Sequence, residues 1–357
     1  MNTTHRIYFK NSNEMSELSP DSVDLIITSP PYPMIVMWDS LFSESNYEIK
    51  NALEEEDGRK AFLLMHYELN KVWKECVRVL KKGGLICINI GDATRKINNN
   101  FQLFPNHVLI TNFFQEHGFI SLPYILWRKP TNAPNKFMGS GMLPPNAYVT
   151  HEHEYILLFR KGEKKAKIPP KLEQRYNSAY FWEERNNWFS DIWSDLRGTA
   201  QSLINEIPKS DDAKDEIRER SAAFPIDLPY RLINMYSIYG ETVLDPFWGT
   251  GTTTLAAMVC ARNSIGYDLN SEFGRIFESR IKEVKILSKK VNIERLEAHI
   301  SFINQKTKLG KEIKHENIHY GFKVYTIQEK ELLLYTINNI KPKNNIYLVN
   351  HEPYYLE

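Results

Sequence analysis

The chain is poor in cysteine, with three in 357 residues: Cys76, Cys87 and Cys260. Their wide spacing excludes a disulfide framework and a cysteine-ligated metal centre. Each lies in a helix or strand pattern, where a buried structural thiol is expected. The histidines show no metal-ligand spacing either, and we expect His151 and His153 at a solvated rim. We therefore predict no metal site.

Long apolar runs are also missing. No stretch approaches the roughly 18 apolar residues that a membrane-spanning helix requires. The opening residues Met-Asn-Thr-Thr-His-Arg do not resemble a secretory signal. With 42% hydrophobic and 12% aromatic residues, the chain can bury one large core and a smaller satellite. We expect no membrane partner and a place in the cytoplasm of a prokaryotic cell.

Two prolines end an apolar run near the start of the chain. Val23 to Ile27 reads as a buried strand, and Thr28-Ser29-Pro30-Pro31-Tyr32 follows it. Because proline has no backbone N–H, this segment stops pairing and presents carbonyl groups that only accept hydrogen bonds. A hydroxyl and an aromatic face beside them can grip an amino group and stack a flat heterocycle. The segment predicts a nucleobase pocket, although a plain Pro-Pro turn with a packed tyrosine would have the same pattern.

A second motif lies far downstream. Glu241 to Asp245 predicts a strand that runs into a turn with Gly249 and Gly251, then a run of threonines that would cap a helix. Another strand ends at Asp268, about 20 positions after the turn, where α/β nucleotide folds bind ribose hydroxyls. The turn lacks the third glycine of the dinucleotide fingerprint and the Gly-Lys-Thr of a P-loop. A nucleoside without phosphates, such as S-adenosylmethionine, therefore fits better, with a structural βαβ unit as the alternative.

In this order the two motifs resemble those of the DNA amino-methyltransferases in their permuted β-type arrangement. The resemblance runs from about Asp21 to about Arg280. It implies an α/β, Rossmann-like methyltransferase fold with a mixed, mostly parallel seven-stranded sheet flanked by helices, with the motifs circularly permuted. We expect residues 1–160 and 222–285 to form the catalytic domain, residues 161–221 to form a small target-recognition insertion, and residues 286–357 to form a C-terminal α+β accessory segment.

The resemblance also implies the site residues. Ser29 and Pro30 would accept hydrogen bonds from the amine, Tyr32 would stack on a flipped base, and Pro31 completes the catalytic set. Asp268 would take both ribose hydroxyls of the cofactor. The full cofactor set is Thr28, Phe224, Pro225, Asp245, Pro246, Phe247, Gly249, Gly251, Thr252, Thr253, Asp268, Leu269 and Asn270. The bulky Trp248 would face the substrate channel or cap the core.

The implied activity is site-specific methyl transfer from S-adenosylmethionine to an exocyclic amino group in duplex DNA, by base flipping and direct in-line attack. No Pro-Cys pair of the kind that ring-carbon methylation uses is present. Ser29 favours the 4-amino group of cytosine; the 6-amino group of adenine stays an alternative because a hydroxyl and a carboxylate can both accept from NH₂. An RNA or other amino-methyltransferase is a further alternative. A restriction-modification system is implied, with a cognate endonuclease as genetic companion, and the oligomeric state is left open.

A net charge of +1 argues neither for nor against DNA, because local patches decide. Residues 160–175 are strongly basic, which suits phosphate contacts, although a solvated loop would look the same. The DNA-binding residues predicted from this patch are Arg160, Lys161, Lys164, Lys165 and Lys167. Aromatic residues in the insertion, from Tyr176 to Trp193, would help read the target or form a small core.

Overall fold

The computed structural model describes residues 1–129, 138–164, 172–196 and 224–355. Its strands are Asn2–Phe9 (β1), Val23–Thr28 (β2), Leu80–Ile90 (β3), Ala93–Ile97 (β4), Asn100–Phe104 (β5), Phe119–Ser121 (β6), Ile125–Arg128 (β7), Met138–Gly139 (β8), Ala147–Tyr148 (β9), His153–Lys161 (β10), Ile192–Trp193 (β11), Thr242–Asp245 (β12), Asn263–Asp268 (β13), His315–Glu316 (β14), Lys323–Val324 (β15), Tyr335–Lys343 (β16) and Ile346–Pro353 (β17).

The α-helices of the described ranges are Asp39–Ser45 (α1), Tyr47–Glu54 (α2), Gly58–Val79 (α3), Asn106–Glu116 (α4), Leu172–Asn177 (α5), Trp182–Trp188 (α6), Asp227–Tyr236 (α7), Thr252–Val259 (α8), Glu272–Arg280 (α9) and Val284–Lys308 (α10). Short 3-10 turns lie at Val36–Trp38, Ile281–Glu283 and Ile327–Glu329. None of the helices in these ranges combines the length and apolar character needed to cross a bilayer.

Within the described residues the main sheet has eleven strands in the order β11-β7-β10-β3-β2-β12-β13-β1-β17-β16, with β6 paired to β10. The run from β7 to β1 contains seven strands and corresponds to the predicted seven-stranded sheet. It is mixed and mostly parallel, since four of its six pairings are parallel. The mixed sheet flanked by helices is confirmed. The predicted count of seven was too small, since β6 and β11 extend the sheet on one side and the β16–β17 hairpin extends it on the other.

Side chains of the central strands alternate between two apolar layers, as the pleat requires. Ile26 packs into a layer with α3 and α4, whereas Leu25 and Ile27 pack into the opposite layer with α7, α8 and the start of α10. Both faces are therefore covered. Because both faces of these strands are buried, the strands appear in the sequence as continuous apolar runs. Since helices cover the two faces, the carboxyl ends of the strands are the open edge of the sheet.

The C-terminal segment has the α+β composition that we predicted, but its strands join the main sheet. β17 pairs antiparallel with β1 from Asn2 to Arg6. Val284 and Leu287 of α10 belong to the same apolar cluster as Phe277. Residues 321–327 contain the two-residue strand β15 and the beginning of a 3-10 turn. The segment is thus continuous with the main sheet rather than a separate module.

The described part of the insertion, residues 172–196, packs its aromatic side chains. Phe181, Trp188 and Trp193 are all buried, and β11 pairs with β7 of the main sheet. Glu184 forms two short hydrogen bonds with Arg295 of α10. These contacts favour the small-core interpretation for the buried rings. Residues 165–171 and 197–221 lie outside the described residues, so target recognition by 161–221 stays a prediction.

Candidate active site

The two sequence motifs meet at the carboxyl ends of neighbouring parallel strands. β2 pairs with β12 through Leu25 and Ile26, so Thr28 and Asp245 end side by side. The Thr28 hydroxyl donates to Asp245 Oδ1 at 2.7 Å, and both side chains are buried. The proline segment and the glycine turn therefore lie beside each other, as a shared site requires.

Asp245 anchors the start of the glycine turn. Its Oδ1 also accepts from the Phe247 N–H at 3.1 Å, and its Oδ2 accepts from the Thr253 hydroxyl at 2.6 Å. Burial raises the pKa of Asp245 to about 6, although these hydrogen bonds oppose the shift. The hydroxyls of Thr28 and Thr253, both predicted to bind the cofactor, are thus directed to this carboxylate. Direct contact of these hydroxyls with the cofactor stays a prediction.

The glycines of the turn serve different purposes. Gly249 has φ +53° and Gly251 has φ +78°, both in the left-handed region. Gly251, rather than a threonine, is the N-cap of α8. No described atom lies within 4 Å of the place where a Cβ on Gly249 would sit, whereas a Cβ on Gly251 would be 2.4 Å from Phe277. The backbone at Gly249 is therefore open to a ligand, and Gly251 is required by packing.

Asp268 lies at the end of β13, directly across from the turn. Its Oδ2 accepts from the Gly249 N–H at 2.7 Å and its Oδ1 accepts from the Asn270 N–H at 2.8 Å. Burial raises the pKa of this carboxyl. A carboxylate has further lone pairs that accept from hydroxyls, and the adjacent Leu269 side chain is 60% exposed. An acceptor beside an apolar surface and an open glycine fits the ribose and flat ring of a nucleoside.

The remaining residues of the predicted cofactor set lie in this turn and directly before α7. Pro246 is buried and Phe247 is half-buried, with the Phe247 ring 5.7 Å from that of Trp73. Phe224 and Pro225 are buried directly before α7, and α7 packs on the face of the sheet that includes Ile27. Contact of these four residues with a cofactor stays a prediction.

Trp248 caps the core, which decides between the two interpretations of this residue. It is 2% exposed, and its indole N–H donates to the Thr254 hydroxyl at 2.8 Å. Its ring lies 5.0 Å from Phe277 and 5.9 Å from Phe9. A side chain enclosed in this way does not line a substrate channel.

Sequence reasoning missed Arg280, which braces the glycine turn from α9. Its Nη1 donates to the Thr250 carbonyl and hydroxyl, each at 2.8 Å, and to the Thr252 hydroxyl at 3.0 Å. Burial lowers the pKa of the guanidinium to about 10. Thr252, also predicted to bind the cofactor, is thus an acceptor for this arginine. No local sequence pattern could have linked Arg280 with Thr252, because only the packing of α9 brings these two residues together.

The proline segment presents a polar network at its tyrosine. The Ser29 hydroxyl lies 3.1 Å from the Tyr32 hydroxyl, which lies 2.9 Å from Glu154 Oε2. The Asn89 amide donates to Tyr32 Oη at 2.8 Å and to the same Glu154 oxygen at 2.7 Å. Lys129 Nζ bonds Glu154 Oε1 at 2.6 Å. Pro30 and Pro31 are buried beneath this network, and Ser29 is half-buried.

Three members of this network, Asn89, Lys129 and Glu154, were not predicted. Asn89 and Glu154 lie on β3 and β10, which pair antiparallel beside the proline segment, and Lys129 follows β7. Burial and the charge of Glu154 hold the pKa of Tyr32 well above its usual range. The only sequence signal for any of these three residues was the position of the Glu154 carboxylate directly before the apolar run of β10.

Histidines line the same edge of the sheet. His107 Nδ1 lies 2.7 Å from the buried Asp92 carboxylate, and the His107 ring stacks on Tyr155. The rings of His151 and His153 are 4.7 Å apart. A solvated rim position was predicted for His151 and His153, but both side chains are half-buried.

Two residues of the predicted DNA-binding patch, Arg160 and Lys161, lie away from this site. Arg160 pairs with Leu85, at the opposite end of β10 from Glu154, roughly 20 Å along the strand. Lys161 Nζ bonds Asp21 Oδ1 at 2.9 Å and two backbone carbonyls at 2.7 and 2.6 Å. Lys161 thus stabilises the end of α3, and contact of Arg160 and Lys161 with DNA stays a prediction. Lys164 is exposed, and Lys165 and Lys167 lie outside the described residues.

Comparisons with known proteins agree with this arrangement. A family model described as DNA methylase matches residues 23–279. The Type II methyltransferase M.MthZI of Methanothermobacter thermautotrophicus is 54% identical over 348 residues, covering 97% of this chain and 94% of the relative. M.MjaI of Methanocaldococcus jannaschii, also a Type II methyltransferase, is 49% identical over 314 residues, covering 85% and 97%. A solved structure from Thermus thermophilus, assigned as a DNA modification methylase and complexed with S-adenosyl-L-methionine, has a TM-score of 0.60 and 28% identity, covering 78% of this chain and 94% of that one.

Proposed function

The chain belongs to the DNA methylase family, and we propose that it methylates the 4-amino group of cytosine at a specific site in duplex DNA, with S-adenosylmethionine as methyl donor. The observation that carries the proposal is the 2.7 Å hydrogen bond between Thr28 and Asp245. Because of it, the group that would hold the amine and the turn that would hold the cofactor lie at one edge of the sheet. The relative complexed with S-adenosyl-L-methionine supports the choice of cofactor.

The cofactor half of the site binds and orients. Asp268 would accept hydrogen bonds from the ribose hydroxyls, and the open backbone at Gly249 would allow the cofactor to approach closely. Leu269 and Asn270 would contact the adenine ring. When bound, S-adenosylmethionine supplies a methyl group on a positively charged sulfur, which makes the methyl carbon open to attack by a nitrogen.

The proline half of the site prepares the amine. The amino nitrogen of cytosine is a poor nucleophile because its lone pair is delocalised into the ring. Ser29 Oγ and the Pro30 carbonyl accept its two N–H groups and favour a pyramidal nitrogen, while Tyr32 stacks on the flipped base. Holding the nitrogen in line with the methyl carbon supplies most of the rate enhancement, on the order of 7 to 11 kcal/mol at best.

Ser29 supports cytosine as the target base. In the family that this chain resembles, a serine at this position goes with cytosine and an aspartate goes with adenine. The names of the Type II relatives further support a restriction-modification system with a cognate endonuclease. We also propose that residues 1–160 and 222–285 carry out catalysis, that 161–221 contribute to target recognition, and that the helix and hairpin within 286–357 support the edge of the sheet.

The test is product analysis. Purified protein is incubated with duplex DNA of mixed sequence and methyl-labelled S-adenosylmethionine, and the DNA is digested to nucleosides that are identified by mass spectrometry. We expect labelled N4-methylcytosine in DNA and none in a matched RNA. Labelled N6-methyladenine would overturn the choice of base but keep the enzyme class, whereas label in RNA alone or no label would overturn the proposal.

A further inference from the structure

The hydroxyl groups of Ser29 and Tyr32 have a fixed hydrogen-bond direction. Tyr32 Oη has three neighbours: the Asn89 amide at 2.8 Å, the Ser29 hydroxyl at 3.1 Å and Glu154 Oε2 at 2.9 Å. The amide can only donate at this nitrogen, and an ionised carboxylate can only accept. The single proton of Tyr32 therefore points to Glu154, and the proton of Ser29 must point to Tyr32.

The fixed direction determines how Ser29 meets a substrate. A serine hydroxyl can donate or accept, so a free serine in this position would present its proton to the base as readily as its lone pairs. With its proton held by Tyr32, Ser29 can meet an amino group only as an acceptor. The carboxylate of Glu154 thus gives the neutral serine the acceptor character that an aspartate would have by charge.

We propose that Ser29, Tyr32 and Glu154 form a proton relay, in which Glu154 is a positioning residue that acts through Tyr32 and finally receives the proton lost by the target amine. The inference rests on the proposed function, because it assigns the fate of the proton in that reaction. Ser29 is the group that touches the amine. Glu154 touches neither the base nor the cofactor.

Bonds and charges balance in this step. The lone pair of the amino nitrogen forms the new N–C bond, and the C–S bond breaks with its electron pair staying on sulfur. The nitrogen then carries a positive charge, and one N–H bond breaks with its electron pair returning to nitrogen. That proton joins Ser29 Oγ as the serine proton passes to Tyr32 Oη and the tyrosine proton passes to Glu154. The resulting carboxylic acid returns its proton to solvent after product release.

The surroundings of Glu154 suit the end of a relay. Lys129 bonds its other oxygen, and Asn89 donates to the oxygen that faces Tyr32. The high pKa of Tyr32 keeps the tyrosine protonated, so it transmits a proton without becoming the resting base. The charged or titratable groups that face Glu154 are Lys129, Tyr32 and His151. Those around His151 are Asp92, His107 and His153.

The test compares Glu154→Gln with a matched control, Glu152→Gln. Glu152 lies two residues away and pairs with Arg128 outside the network. Single-turnover methyl transfer is measured at neutral pH for each protein, with the affinities for S-adenosylmethionine and duplex DNA as a check on folding. For Glu154→Gln we expect a rate at least about 10-fold lower than that of the wild type, with both affinities within about 2-fold; Glu152→Gln should follow the wild type.

A second variant keeps the relay testable if Glu154→Gln does not fold. Tyr32→Phe retains the ring for stacking and cuts the relay at its middle, so it too should lower the rate and leave both affinities within about 2-fold. In the double variant the two losses should not add, because both cut one chain. An unchanged rate in either single variant, affinities that fall together with the rate, or additive losses would reduce Glu154 to a structural support and overturn the proposal. Absence of methylation by the wild type would instead be a failure of the proposed function.

Discussion

Thr28 and Asp245 are 217 positions apart in sequence, yet the hydroxyl of one donates to the carboxylate of the other at 2.7 Å. Thr28 ends the strand before the amine-binding segment, and Asp245 ends the strand before the glycine turn. This hydrogen bond therefore joins the two halves of the site. Neither side chain is exposed by more than 3%, so the bond is shielded from water.

Replacing Thr28 by valine should destabilise the fold. The variant keeps the shape of the side chain but removes one donor from a buried carboxylate, a loss worth about 1–3 kcal/mol in the free energy of unfolding. Chemical denaturation at pH 7 measures it. Thr4→Val, at a half-buried position of β1, is the control and should change stability by less than about 0.5 kcal/mol. Equal losses of unfolding free energy in both variants would show that the hydrogen bond between Thr28 and Asp245 does not stabilise the fold.

Asp245→Asn should change how stability depends on pH. The folded pKa of Asp245 is about 6, above its ordinary value of 3.8, so between these values the folded state binds the proton more tightly than the unfolded chain. Ionising Asp245 therefore costs stability as pH rises through this window, by an amount on the order of 3 kcal/mol. Asparagine carries no such charge. The difference in unfolding free energy, wild type minus Asp245→Asn, should fall from pH 4 to pH 7; a flat difference would contradict the raised pKa.

The two halves of the site should separate in binding and turnover. Asp268→Ala removes the acceptor for the ribose and should weaken S-adenosylmethionine binding by about 10- to 100-fold, the range for hydrogen bonds to a charged group. Ser29→Ala should leave that affinity nearly unchanged and lower kcat. Calorimetry gives the affinity and single-turnover assays give the rate. Glu272→Ala, an exposed carboxylate on α9, is the control, and the reverse pattern would mean that the halves are wrongly assigned.

The part of the site that sequence predicts is the part that lies at strand ends. Ser29 and Gly249 each follow an apolar strand, and the carboxyl ends of adjacent parallel strands share one edge of a sheet. Glu154 could not be found in this way, because it begins an antiparallel strand whose register with β3 is a tertiary outcome. Lys161 shows a different limit. Its charge predicts contact with DNA, and a charge pattern does not tell which end of the sheet a residue occupies.

The C-terminal strands show the same limit at the level of the fold. An α+β segment was predicted for residues 286–357, but nothing in residues 346–353 identifies β1 as the partner strand. That pairing joins segments from opposite ends of the sequence, and only the folded sheet brings Asn2 opposite Asn350.

Substituting alanine at the two glycines of the turn should separate ligand binding from stability. At Gly249 the left-handed φ strains an alanine by about 1 kcal/mol, and the new Cβ projects into space that the described residues leave open. We expect a small loss of stability and at least about 10-fold weaker S-adenosylmethionine binding. At Gly251 the Cβ would be 2.4 Å from Phe277, so overpacking adds to the strain and the loss of stability should exceed that of Gly249→Ala by about 1–3 kcal/mol. Thermal unfolding without ligand and calorimetric titration of both variants measure this. If Gly249→Ala bound the cofactor as tightly as the wild type, the nucleoside would not approach the backbone at this turn.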